Sequence, residues 1–187
     1  MSLATSDFRK GLKLLIEGQP FEIIDFQHVK PGKGGAFVRT KLRGLKSDNV
    51  LDKTFRSGER FEGGDFSEKP LQCLYLEGES AMFMDMETYE QFSIPFSVLG
   101  NKRFYLKEGM EVRALFLGTD PLTIEIPTFV ELKVVEAEPG VRGDTAQGGT
   151  KPATLEGGLV VQVPLFIEQG EVLRVDTRTG MYIERAK

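Results

Sequence analysis

The residues best placed to do chemistry lie in one stretch, HVKPGKGGAFVRTKLR, residues 28–43. Lys33 stands between Gly32 and Gly34, with Pro31 before them and Gly35 after. Pro31 fixes its own φ, lacks an N–H and biases Lys30 toward extended backbone. Glycine admits left-handed backbone and has no side chain to obstruct a close approach. A plain turn needs only Asn-Gly or Asp-Gly. This composition instead projects one flexible ammonium from a loop that a bulky polar target can approach backbone-first. After the loop, Val38, Thr40 and Leu42 alternate with Arg39, Lys41 and Arg43, the period of a strand with one buried face. The opposite face then carries three cations. Such a stripe is a solvated or charge-protected strand face, or a surface that meets phosphates. Like charges stacked on one face repel when unpaired, which favours the second reading.

Other arrangements fit poorly. A Walker loop ends in Gly-Lys-Ser/Thr and opens a helix, whereas Lys33 is followed by Gly34 and a strand pattern. The GXXG loop of a KH domain joins two helices, but GKGG has strand periodicity on both sides. His28 is the only histidine, so any Ser-His-Asp or Cys-His arrangement must be built on it. Its place in a strand predicts a satisfied structural residue instead. Metal clusters need several Cys or His, and the chain holds Cys73 and His28 alone. The expectation is a binding protein, not an enzyme, with no metal and no cofactor.

The elements that must position Lys33 are short strands. Two strands of about ten residues flanking the loop make a hairpin arm on the order of 30 Å long. With 21 Gly, 9 Pro and apolar runs of strand length, the 187 residues read as all-β, at about five strands per 60 residues. That density suits small barrels of the oligonucleotide-binding (OB) type. PFSVLG reads as one short helix, and no internal repeat is visible by identity. The net charge of −4 hides an asymmetry. Residues 1–63 hold 12 Lys and Arg against 8 acids, residues 64–127 hold 5 against 11, and residues 128–187 hold 7 against 9. Phosphate binding therefore points to the first third. No apolar run approaches a membrane span. Asp7, Arg9, Lys10 and Lys13 interrupt any signal-peptide pattern. The lone Cys73 fits a reducing compartment. The expected location is cytoplasmic.

DFRKGL, VKPGKGGAFVRTKLR, KTFRSGE, FVELKVVEAEPG and the long run from GDTAQGG to MYIER carry a resemblance over essentially the whole chain. The sequence resembles the bacterial elongation factor P family. The resemblance implies three small β-barrel domains in an elongated, tRNA-like L shape. These are an SH3-like, KOW-type domain at residues 1–63 with the Lys33 hairpin tip, an acidic OB-type barrel at 64–127, and an OB-type barrel at 128–187. It implies a monomer that contacts both subunits of the ribosome between the peptidyl-tRNA and exit sites. There the family relieves stalls at consecutive prolines by stimulating peptide-bond formation.

Lys33 matches the family's tip residue, which reaches toward the acceptor end of peptidyl-tRNA and is often extended covalently. A lysine here speaks against the glycosylation of arginine-tipped members. It leaves open a lysyl-type addition by a lysine-modifying enzyme or an unmodified loop. Gly143, Asp144 and Thr145 match a third-domain loop that contacts exit-site mRNA. Lys30, Arg39, Lys41 and Arg43 are candidate tRNA or rRNA phosphate contacts, on charge pattern more than on resemblance. The alternatives are an elongation-factor-P-like paralogue and a general single-stranded RNA-binding barrel. Intact PGKG and GDT segments weigh against the first, and the acidic last two thirds against the second.

Overall fold

The computed structural model describes residues 1–140 and 148–187, and among them sixteen strands form three sheets. The first sheet contains β1 (Ser2–Ala4), β2 (Lys13–Ile16), β3 (Gln19–Val29), β4 (Phe37–Gly44), β5 (Val50–Arg56) and β6 (Arg60–Glu62), in the order β1-β6-β2-β3-β4-β5. Its strands form because one face of each is apolar. In β4, Val38, Thr40 and Leu42 are buried and the residues between them are exposed, as the alternation predicts. Beneath that face lies a core of Phe8, Leu14, Ile23, Val38, Leu42 and Phe55. Phe8 meets Phe26, Phe55 and Phe61 with ring centroids at 6.5, 6.0 and 5.5 Å. Its contacts with Phe26 and Phe55 are edge-on, the geometry ring quadrupoles prefer.

The second sheet contains β7 (Phe66–Glu77), β8 (Ser80–Asp85), β9 (Gln91–Pro95), β10 (Glu111–Leu117) and β11 (Asp120–Glu125), in the order β11-β10-β7-β8-β9. The third contains β12 (Phe129–Ala137), β13 (Thr150–Leu155), β14 (Val160–Pro164), β15 (Val172–Asp176) and β16 (Met181–Arg185), in the order β14-β13-β12-β15-β16. These two orders are one connectivity. The first strand is central, the second and third lie to one side, and the fourth and fifth to the other. A repeat invisible by identity is thus present in topology. The expected short helix is α1 (Phe96–Leu99), prolonged by 3-10 turns over Gly100–Tyr105.

The chain divides into two compact units, Met1–Glu68 with Leu115–Thr123, and Lys69–Ala114 with Ile124–Lys187. The first unit adds to its Phe8 core a smaller cluster of Leu45, Leu115 and Leu122, with Phe66 and Leu117 packed on it. In the second, Val130, Leu132 and Val134 of β12 all face inward. No helix among the described residues is long and apolar enough to cross a membrane.

Candidate RNA-binding finger

Strands β3 and β4 pair antiparallel from Phe21 opposite Gly44 to Val29 opposite Phe37, a span of about 26 Å at the usual rise. Residues 30–36 cross between them. Pro31, Gly32, Lys33, Gly34 and Gly35 are all exposed, and Lys33 makes no ion pair among the described residues. The loop is neither helical nor folded onto the sheet. Of its three glycines only Gly34 uses left-handed backbone, with φ +109°. A Cβ at Gly32 or Gly35 meets nothing within 4 Å. Those two positions are therefore not demanded by the turn; their effect is to leave bare backbone beside the ammonium.

The free two-stranded arm is corrected. β5 pairs with β4 along its whole length, from Arg43 opposite Val50 to Phe37 opposite Arg56. The finger is three strands wide up to the tip, and only residues 30–36 extend beyond it. An isolated hairpin is marginal in water; here the third strand and the Phe8 core hold it. His28 lies in β3 opposite the buried Val38; it is exposed, and its ring packs edge-on against Phe26 at 5.6 Å.

On the outer face, the cross-strand register sets side chains in rows. From the tip inward these are Val29, Phe37 and Arg56; Gln27, Arg39 and Thr54; Asp25, Lys41 and Asp52; and Glu22, Arg43 and Val50. Arg39, Lys41 and Arg43 are all exposed on this face, as the alternation requires. They are not an isolated stripe, however. Lys41 lies between two aspartates, and Arg43 lies beside Glu22. Asp25 also accepts an ion pair from Lys10 at 3.2 Å. The Lys10 hydrogen bond and charge hold the Asp25 carboxyl below the usual carboxylate range, with the Phe26 N–H and the Lys41 charge adding to the effect. Gln27, Arg39, Lys41, Asp52 and Thr54 line a shallow depression of about 250 Å³. Lys30 is exposed at the loop's entrance. Gly143, Asp144 and Thr145 lie outside the described residues.

One cation escaped the sequence reading. Arg56 sits opposite Phe37 at the root of the loop, and the Ser57 N–H donates to the Ala36 carbonyl at 3.0 Å, tying β5 to the tip. The signal was available. Residues 45–49 are a turn-forming stretch, and pairing outward from that turn brings Arg56 opposite Phe37.

A KOW-like sheet with a bare-backboned lysine loop, followed by OB-type sheets, defines an all-β protein of small barrel domains. Comparison narrows this class. Residues 4–61 match the elongation factor P KOW-like domain, 66–124 its OB domain, and 130–185 the elongation factor P C-terminal domain. Elongation factor P of Thermodesulfovibrio yellowstonii is 52% identical over 185 residues, covering 99% of each chain. That of Natranaerobius thermophilus is 50% identical over 185 residues, 99% of this chain and 98% of the relative. The chain belongs to the elongation factor P family, a family of translation factors. Among solved structures, a eukaryotic translation initiation factor 5A from Methanococcus jannaschii shares the fold. Its TM-score is 0.54 at 24% identity, over 68% of this chain and 92% of that one.

Proposed function

We propose that this protein binds the ribosome between the peptidyl-tRNA and exit sites and relieves stalls at consecutive prolines. The Lys33 loop steadies the acceptor end of peptidyl-tRNA, and the ribosome performs the bond formation. The observation that carries this reading is the exposed Lys33 at the end of a braced three-stranded finger, in a chain whose family consists of translation factors.

The mechanism is alignment. Proline's amine is constrained, and a proline-rich nascent chain holds the ester in poor geometry. A factor that holds the tRNA end lowers the entropy cost of bringing amine and ester together. An ammonium and unobstructed backbone N–H groups suit phosphates and riboses, and the sheet behind them limits the loop's excursions. A hundredfold acceleration requires about 2.7 kcal/mol, within the range that positioning supplies. A covalent extension of Lys33, such as a lysyl-type addition, lengthens the same cation's reach. Gly143, Asp144 and Thr145 complete the reading as contacts to exit-site mRNA.

Reconstituted translation of a message with consecutive prolines tests this. Wild-type protein shortens the pause, while Lys33→Ala leaves it in place and melts within about 2 °C of wild type, since Lys33 touches nothing the fold needs. Full activity of Lys33→Ala overturns the reading. Intact mass of the protein from its native host shows whether Lys33 is extended.

A further inference from the structure

We propose that Arg56, with Arg39, forms a two-arginine clamp for the phosphates of an RNA strand at the root of the Lys33 loop, whereas Lys41 and Arg43, in rows shared with carboxylates, stand outside it. The proposal rests on the translation-factor reading above and divides its basic surface in two.

The division follows from the rows of the outer face. The two rows nearest the tip contain Arg39 and Arg56 and no acid; their other members are Val29, Phe37, Gln27 and Thr54. The two rows further back contain Lys41 and Arg43 together with Asp25, Asp52 and Glu22. Directly opposed side chains stand about 5 Å apart at Cβ, so Lys41 is flanked by negative charge on both sides. An arriving phosphate there competes with carboxylates already in place. At the tip it meets Arg39 and Arg56 in rows that contain no acid, with Lys30 and Lys33 beyond them.

The arginines are also arranged to act together. Arg39 and Arg56 are diagonal cross-strand neighbours, a separation of about 7–8 Å. Phe37 lies next to both, and the Arg39 Cζ stands 5.7 Å from its ring centroid. That contact places an otherwise mobile guanidinium, leaving its N–H fork free for phosphate oxygens. The nearest acid in sequence to Arg56 is Glu59. Its carboxylate accepts from the Arg56 backbone N–H at 3.0 Å, and no ion pair to the guanidinium forms among the described residues. This bond closes the turn after β5 and fixes where Arg56 leaves the sheet.

The test compares Arg39→Ala, Arg56→Ala, Arg56→Gln, Lys41→Ala and Arg43→Ala in ribosome binding across a salt series, with thermal melting of each. Loss of either tip arginine is expected to weaken binding about tenfold and to lower the log–log salt slope by about 0.7–0.9. Lys41→Ala and Arg43→Ala should bind within about twofold of wild type. Arg56→Gln keeps the aliphatic stem and should behave as Arg56→Ala, separating charge from packing. Wild-type binding with an indifferent Arg56, or an equal loss from Lys41→Ala, overturns the clamp alone. A wild-type protein that shows no ribosome binding overturns the translation-factor reading and the clamp with it.

Discussion

Asp85 and Asp176 close two different hairpins with the same backbone hydrogen bonds. The Oδ1 of Asp85 accepts from the Glu87 N–H at 2.8 Å, and the Tyr89 N–H donates to the Asp85 carbonyl at 2.8 Å. The Oδ1 of Asp176 accepts from the Arg178 N–H at 2.8 Å, and the Gly180 N–H donates to the Asp176 carbonyl at 2.8 Å. Thr88 and Thr179 each accept from a backbone N–H two residues on, at 3.4 Å. The hairpins are not equivalent in the shared connectivity. One joins the second and third strands of its sheet, the other the fourth and fifth. The likeness therefore comes from local Asp-x-x-Thr chemistry, in which a carboxylate mimics a backbone turn.

The fourth residue after each aspartate is left-handed, Tyr89 at φ 63° and Gly180 at φ 70°. Glycine holds that conformation freely, whereas a residue with a Cβ costs about 1–2 kcal/mol. A Cβ at Gly180 also lies 3.2 Å from the Tyr105 hydroxyl. Gly180→Ala is expected to lower stability by about 1–2 kcal/mol. Tyr89→Gly should leave it unchanged or raise it by under about 1 kcal/mol, because relieved strain is offset by a more flexible unfolded chain. Urea denaturation midpoints of the two variants check the opposite signs.

Gly157 and Gly158 make a graded pair. Both are left-handed, at φ 85° and 86°. A Cβ at Gly157 lies 2.5 Å from the Phe104 carbonyl oxygen, backbone that cannot step aside, while one at Gly158 makes ordinary contact with the Phe104 ring at 3.9 Å. Gly157→Ala is expected to cost about 3 kcal/mol and Gly158→Ala about 1 kcal/mol. Equal effects in denaturant titrations count against a close approach at Gly157.

Much of this architecture was legible because its signals are local. The alternation in β4 and β12, the turns after β7 and β10, and α1 all follow from periodicity and turn residues. The exposed Lys33 followed from Pro31 and the flanking glycines. What was not legible is non-local. β1 and β6 are three residues each, too short for a period to show. β13 contains Pro152, which reads as a strand breaker, yet it lies between β12 and β14. The acids facing Lys41 belong to β3 and β5, so a pattern read within β4 alone shows three cations and none of their neighbours.

Acid and alkali should destabilise the protein through different groups. Asp85 and Asp176 have carboxyls held below the usual range, Asp85 mainly by the Glu87 backbone N–H and Asp176 mainly by the Arg178 side chain. Their unfolded counterparts bind protons first as pH falls, so stability rises with pH in that window. The contribution is complete above the ordinary Asp value of about 3.9 and is lost as pH falls through the lower native values. At the other end, burial pushes the Cys73 thiol from 9.0 up to about 11, with the Glu108 charge adding to it. That stability is present below the unfolded thiol's pKa and is lost as pH rises toward the native value. Melting temperature against pH should fall at both ends. Cys73→Ser should not simply flatten the alkaline limb, since it buries a hydroxyl. Cys73→Ala should flatten it, and an unchanged limb in that variant assigns the alkaline loss to another group.

Thr40 offers a test of the finger's interior that leaves its surface intact. It lies between Arg39 and Lys41 in sequence but faces the core, 2% exposed, and its Oγ1 finds no hydrogen-bond partner among the described residues. Desolvating an unpartnered hydroxyl costs about 1–3 kcal/mol, and valine has nearly the same shape with a strong preference for strands. Thr40→Val is therefore expected to raise stability by about 1 kcal/mol. It should also leave ribosome binding and its salt slope at wild-type values, because the substitution lies on the face opposite Arg39. A melting temperature that drops shows that Oγ1 is hydrogen-bonded in solution. A stabilised variant with weakened binding shows instead that the finger must deform to engage its target, so that a stiffer strand beneath Arg39 hinders the contact.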